Sequence, residues 1–281
     1  MGTVGECIAS TVQALERVSD SPQSDAEILL AHALGISRAQ LLARKKQPVD
    51  VSAFAPLLAR RLAHEPVAYI LGEWEFFSMP LAVRAPMLVP RPETEHLVEC
   101  VLEAAGERPC RVLEIGTGTG CVALAIAKHA PNADAVATDI NPGALRLASQ
   151  NAESLGLSSR IDFRLGDVFD TLPALTGTFD AICSNPPYVA DGEWEQLSDT
   201  IRLHEDPRAL LAGPDGLDVI RRLIDGAWDR LNPGGLFAIE MGEGQWMHVK
   251  WLLETRGYSD TRVRHDLAGI PRIATARKPL L

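Results

Sequence analysis

The run CRVLEIGTGTGCVALAIAKHA, Cys110 to Ala130, decides the fold. CRVLEI reads as a strand, GTGTG as a turn, and CVALAIAKHA as a buried helix. A strand that passes through glycines into a helix opens an α/β unit. The missing Cβ atoms there let a ligand lie against the backbone close to the helix N-terminus. A cofactor is therefore expected over Gly116, Thr117, Gly118, Thr119 and Gly120. The other reading is a tight turn that needs glycine only for its backbone angles. The spacing departs from GxGxxG, which disfavours a nicotinamide cofactor.

Downstream of this unit, apolar strands alternate with amphipathic helices, which points to a parallel sheet covered on both faces. Strands are expected near 110–115, 134–139, 160–165, 179–184, 235–241, 260–265 and 271–277. The fold class is α/β: a Rossmann-like, doubly wound, seven-stranded, mostly parallel sheet. Upstream, residues 1–75 read as a small helical domain. Ile28, Leu29, His32 and Ala33 fall on helical spacing, and Phe54, Leu57, Leu58, Arg61 and Leu62 repeat the pattern before Pro66. Residues 76–92 read as a hairpin and linker, and 93–281 as the catalytic domain.

Composition narrows the function classes. No apolar run approaches the roughly 18 to 20 residues of a membrane span. MGTVGECIAS lacks the basic start and apolar stretch of a signal peptide, so the expected location is the cytoplasm. The five cysteines, Cys7, Cys100, Cys110, Cys121 and Cys183, form no CxxC pair and read as small buried hydrophobes. No metal is expected, since the seven histidines form no cluster at ligand spacing. Asp and Glu outnumber Lys and Arg 37 to 27, a net charge of −10, which weakens any reading that depends on binding phosphates.

Two further motifs carry chemistry. DAVATD ends in Asp139, 19 residues beyond Gly120, about where a carboxylate meets the ribose hydroxyls of a bound nucleoside. With Asn141 and Pro142 following, a helix cap is an alternative, and the two roles are compatible. In GDVFD, Asp167 is placed to accept from an adenine amino group, with Val168 or Phe169 against the purine ring; turn chemistry is the plainer alternative.

SNPPY, Ser184 to Tyr188, follows the strand FDAIC at the end of the sheet where α/β folds bind ligands. Pro186 and Pro187 fix φ and lack N–H donors, so backbone carbonyls stay free as acceptors in a rigid turn. The Asn185 side-chain oxygen and the Pro186 carbonyl can each take one hydrogen of a substrate NH₂ group, while Tyr188 covers its flat face. A rigid turn with an Asx cap is the structural alternative. An amide nitrogen is a poor nucleophile because its lone pair is delocalised. Holding both hydrogens orients it and stabilises the charge that develops on it, without a strong base.

With GTGTG, Asp139 and NPPY together, the sequence resembles class I S-adenosylmethionine-dependent methyltransferases of the amino-group type. Pro66 to Glu95, PVAYILGEWEFFSMPLAVRAPMLVPRPETE, is similar to the linker signature of the peptide chain release factor glutamine methyltransferases, the PrmC/HemK family. EDPRALLAGPDGLDVIRRLI and EMGEGQ resemble that family's later segments. The resemblance implies transfer of a methyl group from S-adenosyl-L-methionine, leaving S-adenosyl-L-homocysteine, to the glutamine amide of the Gly-Gly-Gln loop in class 1 release factors. It implies that Gly116 to Gly120 line the methionine and sulfonium end of the cofactor, Asp139 the ribose and Val168 the adenine side. Asn185, in contact with both cofactor and substrate, would hold the glutamine with Pro186, Pro187 and Tyr188. The helical domain would dock the protein substrate. Some members carry an aromatic residue where this chain has Val168, so Phe169 is a substitute for the adenine contact. Thr94 is a candidate hydroxyl near the cofactor, although Pro92, Glu93 and Glu95 are also ordinary first-turn helix residues. Three rivals share parts of this pattern: a glutamine on a ribosomal protein, an exocyclic amine of a nucleic-acid base, and a non-catalytic binding module. The acidic balance counts against a nucleic-acid substrate.

Overall fold

A computed structural model describes residues 2–169 and 177–280. The chain divides into two compact units. The first comprises Met1–Glu73, Val83–Pro86 and Gln196–Glu205; the second comprises Trp74–Ala82, Met87–Glu195 and Asp206–Leu281.

The first unit holds helices α1 (Val4–Leu15), α2 (Pro22–Ala33), α3 (Arg38–Ala43), α4 (Ala55–Leu62) and α5 (Val67–Leu71). Thr3 and Ser37 open α1 and α3 with capping boxes, satisfying N–H groups that the first helical turn leaves unpaired. The buried face of α2 is Ala26, Glu27, Leu29, Leu30 and Ala31 rather than the expected stripe: Ile28 is half-buried and His32 exposed. On α4, Arg61 is buried at 5% exposure while Leu62 stands 41% exposed. Hydrogen bonding explains this inversion of hydropathy. The Arg61 guanidinium donates to Asp25 Oδ2 (2.8 Å), the Val18 carbonyl (2.9 Å), Thr200 Oγ1 (3.3 Å) and the Glu65 carbonyl (3.4 Å). A buried charge is tolerated when its donors are met in this way.

Strands β1 (Glu73–Phe76) and β2 (Met79–Ala82) form a two-stranded hairpin. The second unit continues with α6 (Glu95–Ala105), β3 (Cys110–Ile115), α7 (Cys121–His129), β4 (Ala133–Asp139), α8 (Pro142–Ser154), β5 (Ile161–Leu165) and β6 (Phe179–Ser184). Beyond a short turn of helix in the first unit, α9 (Asp199–Arg202), come α10 (Asp218–Arg230), β7 (Leu231–Glu240), α11 (Trp246–Arg256), β8 (Ser259–His265) and β9 (Pro271–Arg277). The seven-stranded order is β5-β4-β3-β6-β7-β9-β8. Strands β3 to β7 pair in parallel, and β9 pairs antiparallel with both β7 and β8. All seven expected strands are present within a few residues, and the expected fold class is the observed one.

Alternate residues of the central strands feed two cores. Val112, Ala181, Cys183, Leu236 and Ala238 join α6 and α7 on one face; Leu113, Ile115, Ile182, Phe237 and Ile239 join α10 and α11 on the other. Each fully buried Leu, Ile or Phe contributes about 1.5–3 kcal/mol by leaving water. After β5 the chain crosses to the far side of β3 and enters β6, so the winding reverses between β3 and β6. Open α/β sheets bind ligands at such a switch point. Among the described residues no helix is long and apolar enough to cross a membrane.

Candidate active site

The turns after β3 and β6 leave the sheet side by side, because Ile115 pairs with Ser184. Ser184 Oγ donates to the Ile115 carbonyl at 2.7 Å, tying the strand ends together. In the glycine turn, the N–H groups of Gly116 and Thr117 donate to the Thr138 carbonyl (2.8 and 2.9 Å), and that of Gly118 donates to Asp139 Oδ2 (2.9 Å). Gly118 has φ +56°, and a Cβ on it would meet no atom within 4 Å. Gly120 also has positive φ, +86°, but a Cβ there would lie 3.0 Å from the Ala148 Cβ. One glycine is therefore required by packing beneath the turn, while the other leaves open space above it.

Asp139 serves two neighbours. Its Oδ2 accepts from Gly118 and its Oδ1 from the Asn141 N–H at 2.8 Å, while Asn141 caps α8 through the Gly143 N–H. Capping thus falls to Asn141. Ile140 and Leu165, at the carboxyl ends of β4 and β5, are apolar yet 53% and 56% exposed. Asp167 is paired with Arg222 of α10 at 3.1 Å. Val168 is buried with φ +51°, an unfavourable conformation for a β-branched residue. The Phe169 ring occupies the place of a side chain at Gly226, where a Cβ would meet it at 2.1 Å. Phe169 is therefore packed on α10. Asp170, the last residue of GDVFD, lies outside the described residues.

In the turn after β6, Asn185 Nδ2 donates to Thr94 Oγ1 at 3.0 Å, and Thr94 Oγ1 donates to Glu240 Oε2 at 2.7 Å. The Tyr188 hydroxyl lies 3.4 Å from Glu240 Oε1. Among the described residues no donor meets Asn185 Oδ1 or the Pro186 carbonyl, so both acceptors are available. The backbone beyond is braced. Gln245 Nε2 donates to the carbonyls of Tyr188 (2.9 Å) and Gly216 (3.3 Å), and its Oε1 accepts from Gly242 N–H (2.8 Å). Val189 N–H donates to Leu210 and its carbonyl accepts from Ala212. The segments EDPRALLAGPDG and EMGEGQ thus meet behind NPPY.

The electrostatics favour a cationic ligand. Glu114, buried beneath the glycine turn, accepts from Thr117 Oγ1 (2.6 Å) and Ala123 N–H (3.1 Å). Burial nonetheless pushes its carboxyl up to about 7. Burial pushes Glu240 up to about 7 as well, and raises Asp139 above the ordinary carboxylate range. Three carboxyl groups held against ionisation in one site are relieved by a neighbouring positive charge. A sulfonium and an ammonium group meet that need, and the open space over Gly118 beside the Asp139 carboxylate fits a nucleoside. The residues present therefore fit S-adenosylmethionine.

Glu114, Ile140, Glu240 and Gln245 are absent from the sequence-derived candidates. Glu240 and Gln245 lie inside EMGEGQ, whose likeness to a family segment was their only signal. Glu114 is a charged residue within an otherwise apolar strand, and Ile140 directly follows Asp139.

Comparison with known proteins bears on this geometry. Residues 6–72 match the family described as the PrmC N-terminal domain, and residues 112–205 match a methyltransferase domain. A release factor glutamine methyltransferase of Rhodopirellula baltica is 44% identical over 269 residues, covering 92% of this chain and 90% of that one. One from Koribacter versatilis is 36% identical over 282 residues, covering 99% of each. The chain belongs to the release factor glutamine methyltransferase family. A solved methyltransferase from Pyrococcus furiosus aligns with a TM-score of 0.54 and 21% identity, covering 80% of this chain and all (100%) of that one, and shows the shared fold. Membership of a release factor glutamine methyltransferase family gives the free acceptor pair at Asn185 and Pro186 a chemical context: an amide NH₂ has two hydrogens to offer.

Proposed function

We propose that the chain transfers a methyl group from S-adenosylmethionine to the side-chain amide nitrogen of the glutamine in the Gly-Gly-Gln loop of class 1 release factors. The observation that carries this reading is the pair of unengaged acceptors, Asn185 Oδ1 and the Pro186 carbonyl, in a rigid turn adjoining the open glycine loop. When bound, the cofactor supplies an electrophilic methyl group on a positively charged sulfur.

The protein's own groups do the rest. Asn185 Oδ1 and the Pro186 carbonyl each accept one amide hydrogen, orienting the nitrogen toward the methyl. The positive charge that would develop on the substrate nitrogen as it takes the methyl would be stabilised by both acceptors. One of the two held hydrogens, made acidic by that charge, is then released as a proton to solvent. Tyr188 packs over the amide, with Gly242 leaving room for its ring: a Cβ there would lie 3.2 Å from Tyr188 Cδ2. Asp139 takes the ribose hydroxyls. Val168 and the exposed Ile140 and Leu165 flank the adenine, with Asp167 at the rim. The helical unit docks the release factor, in keeping with its match to the PrmC N-terminal domain.

The test is transfer of radiolabelled methyl to a purified release factor, beside a variant whose Gly-Gly-Gln reads Gly-Gly-Ala. Total RNA and ribosomal proteins serve as competing acceptors. Label confined to the native factor is expected. Label on RNA or on a ribosomal protein would reassign the substrate.

A further inference from the structure

Asn185 can serve a substrate NH₂ only if its oxygen, not its own NH₂, faces the substrate. The amide is nearly symmetric in shape, so something must choose between its two orientations. The choice depends on the single hydroxyl proton of Thr94. That hydroxyl is buried between Asn185 and Glu240, 3.0 Å from Asn185 Nδ2 and 2.7 Å from Glu240 Oε2. Where the Thr94 proton points toward Glu240, its oxygen can only accept from Asn185, and Nδ2 is the atom that turns to it. Where the proton points toward Asn185, only Oδ1 can receive it, and the Asn185 NH₂ is left facing the substrate NH₂, donor against donor.

Resting on the reading of Asn185 as the substrate-amide acceptor, we infer that Glu240 is a positioning residue: its carboxylate draws the Thr94 proton and thereby sets the Asn185 amide with Oδ1 toward the substrate. An ionised Glu240 has acceptors for both of its donors, Thr94 at Oε2 and Tyr188 at Oε1. A neutral Glu240 carries a proton on one of those oxygens and becomes a donor there, so the direction of the chain is no longer imposed. The carboxyl is thus coupled to two residues of NPPY at once, to Tyr188 directly and to Asn185 through Thr94.

The surroundings set where this carboxyl ionises. Burial pushes it up to about 7; Glu93, before α6, pushes the same way, while the hydrogen bonds of Thr94 and Tyr188 and the charge of Arg272 on β9 pull it down. Arg272 is itself held by Asp266 at 3.0 Å, and Arg91 and Arg272 both act on Tyr188. Cys121, at the start of α7, also senses the Glu240 charge. Methylation of a bound glutamine therefore requires the basic form of a group that titrates within the ordinary working range.

The experiment is the single-turnover rate of methyl transfer to a release factor, at saturating S-adenosylmethionine, from pH 5 to 8.5. Cofactor affinity is measured at each pH by calorimetry. The wild type is expected to lose rate as pH falls, approaching about tenfold per pH unit on an acidic limb that lies below 7 because bound cofactor favours the ionised carboxyl. Glu240→Gln, which keeps shape and removes the titration, is expected to be slower and flat with pH even at saturating cofactor, with its cofactor affinity lowered at pH 8 and no longer rising with pH through this carboxyl. Thr94→Val should also lose the acidic limb, and Thr94→Ser should restore it. An acidic limb that survives in Glu240→Gln, or full wild-type rate in Thr94→Val, overturns the inference. Should Glu240→Gln fail to fold, the Thr94 pair decides. Asn185→Ala separates the underlying reading: if that variant is fully active, Asn185 does not hold the substrate and the positioning argument falls with it. An inactive Asn185→Ala beside a Glu240→Gln that keeps its limb removes only the role of Glu240.

Discussion

Gly216 packs so closely on Tyr188 that a Cβ on it would lie 2.3 Å from the Tyr188 carbonyl oxygen and 2.8 Å from Gln245 Nε2. Any side chain there must push the end of the NPPY turn or expel the Gln245 bridge. Gly216→Ala is therefore expected to lower methyl transfer at least about tenfold, since displacements near 1 Å in a reacting geometry have large effects. Cofactor affinity should hold, because the glycine loop is not involved. Gly269→Ala is the control: it has a similar positive φ, +81°, with no atom within 4 Å of its Cβ. It should show only the left-handed strain of about 1 kcal/mol in thermal stability and full activity. Equal rates in the two variants would mean the brace does not position Tyr188.

Asn185 and Asp139 should separate catalysis from cofactor binding. Asn185→Ala removes an acceptor proposed to meet only the substrate amide. Turnover is expected to fall by about 10² or more with the cofactor dissociation constant nearly unchanged. Asp139→Ala removes the carboxylate that also anchors the Gly118 N–H, so the dissociation constant should rise most, with turnover recovering at high cofactor. Calorimetry and initial rates on the same preparations check both. Parallel loss of affinity and rate in Asn185→Ala would place that residue in the cofactor pocket.

Much of this arrangement was legible in the sequence because it is local. The strand-glycine-helix run, the 19-residue step from Gly120 to Asp139 and the Asn-Pro-Pro turn each announce themselves within a short window. The sheet was legible because strands buried on both faces are continuous apolar runs. What was not legible is long-range. Glu240 is one of 37 acidic residues, and nothing near it marks it as the partner of Thr94, 146 residues away. Phe169 was a candidate for the adenine because it follows Val168, yet it fills the gap left by Gly226 on a distant helix. The α2 and α4 stripes were right only in part: Leu29, Phe54 and Arg61 are buried as the helical spacing places them, the arginine because four acceptors meet its guanidinium, whereas His32 and Leu62 are exposed.

That arginine carries its own test. Arg61→Met keeps much of the apolar length of the side chain and removes every hydrogen bond of the guanidinium. Asp25, whose side chain is largely buried, and two carbonyls would lose their donor. Breaking one side of a buried ion pair typically costs about 3–5 kcal/mol. Denaturant unfolding of the full chain should show a loss of this order in the transition that includes the helical unit, with cofactor binding retained. A change below about 0.5 kcal/mol, the usual scatter for surface substitutions, would mean that water replaces the arginine without penalty.

The two titrating carboxyls make stability depend on pH in an unusual direction. Glu114 and Glu240 are each raised by burial from an ordinary 4.5 to about 7. Between those values the unfolded chain has already lost both protons while the folded chain still holds them. The folded state thus binds more protons, and stability falls as pH rises through this window. Each carboxyl contributes a loss on the order of 3 kcal/mol by pH 8, because every tenfold difference in proton affinity between folded and unfolded chain is worth about 1.4 kcal/mol. Carboxylates whose ionisation is favoured by folding, such as Asp206 and Asp266, act oppositely but only below about pH 4. Melting temperature without cofactor is therefore expected to decline from pH 5 to pH 8, and to decline less in Glu114→Gln and Glu240→Gln. Saturating cofactor should flatten the curve further, because its positive charge favours the ionised carboxyls, with the stabilisation by cofactor growing toward pH 8. A melting temperature that rises steadily from pH 5 to pH 8 would show that neither carboxyl is protonated in the folded protein at neutral pH.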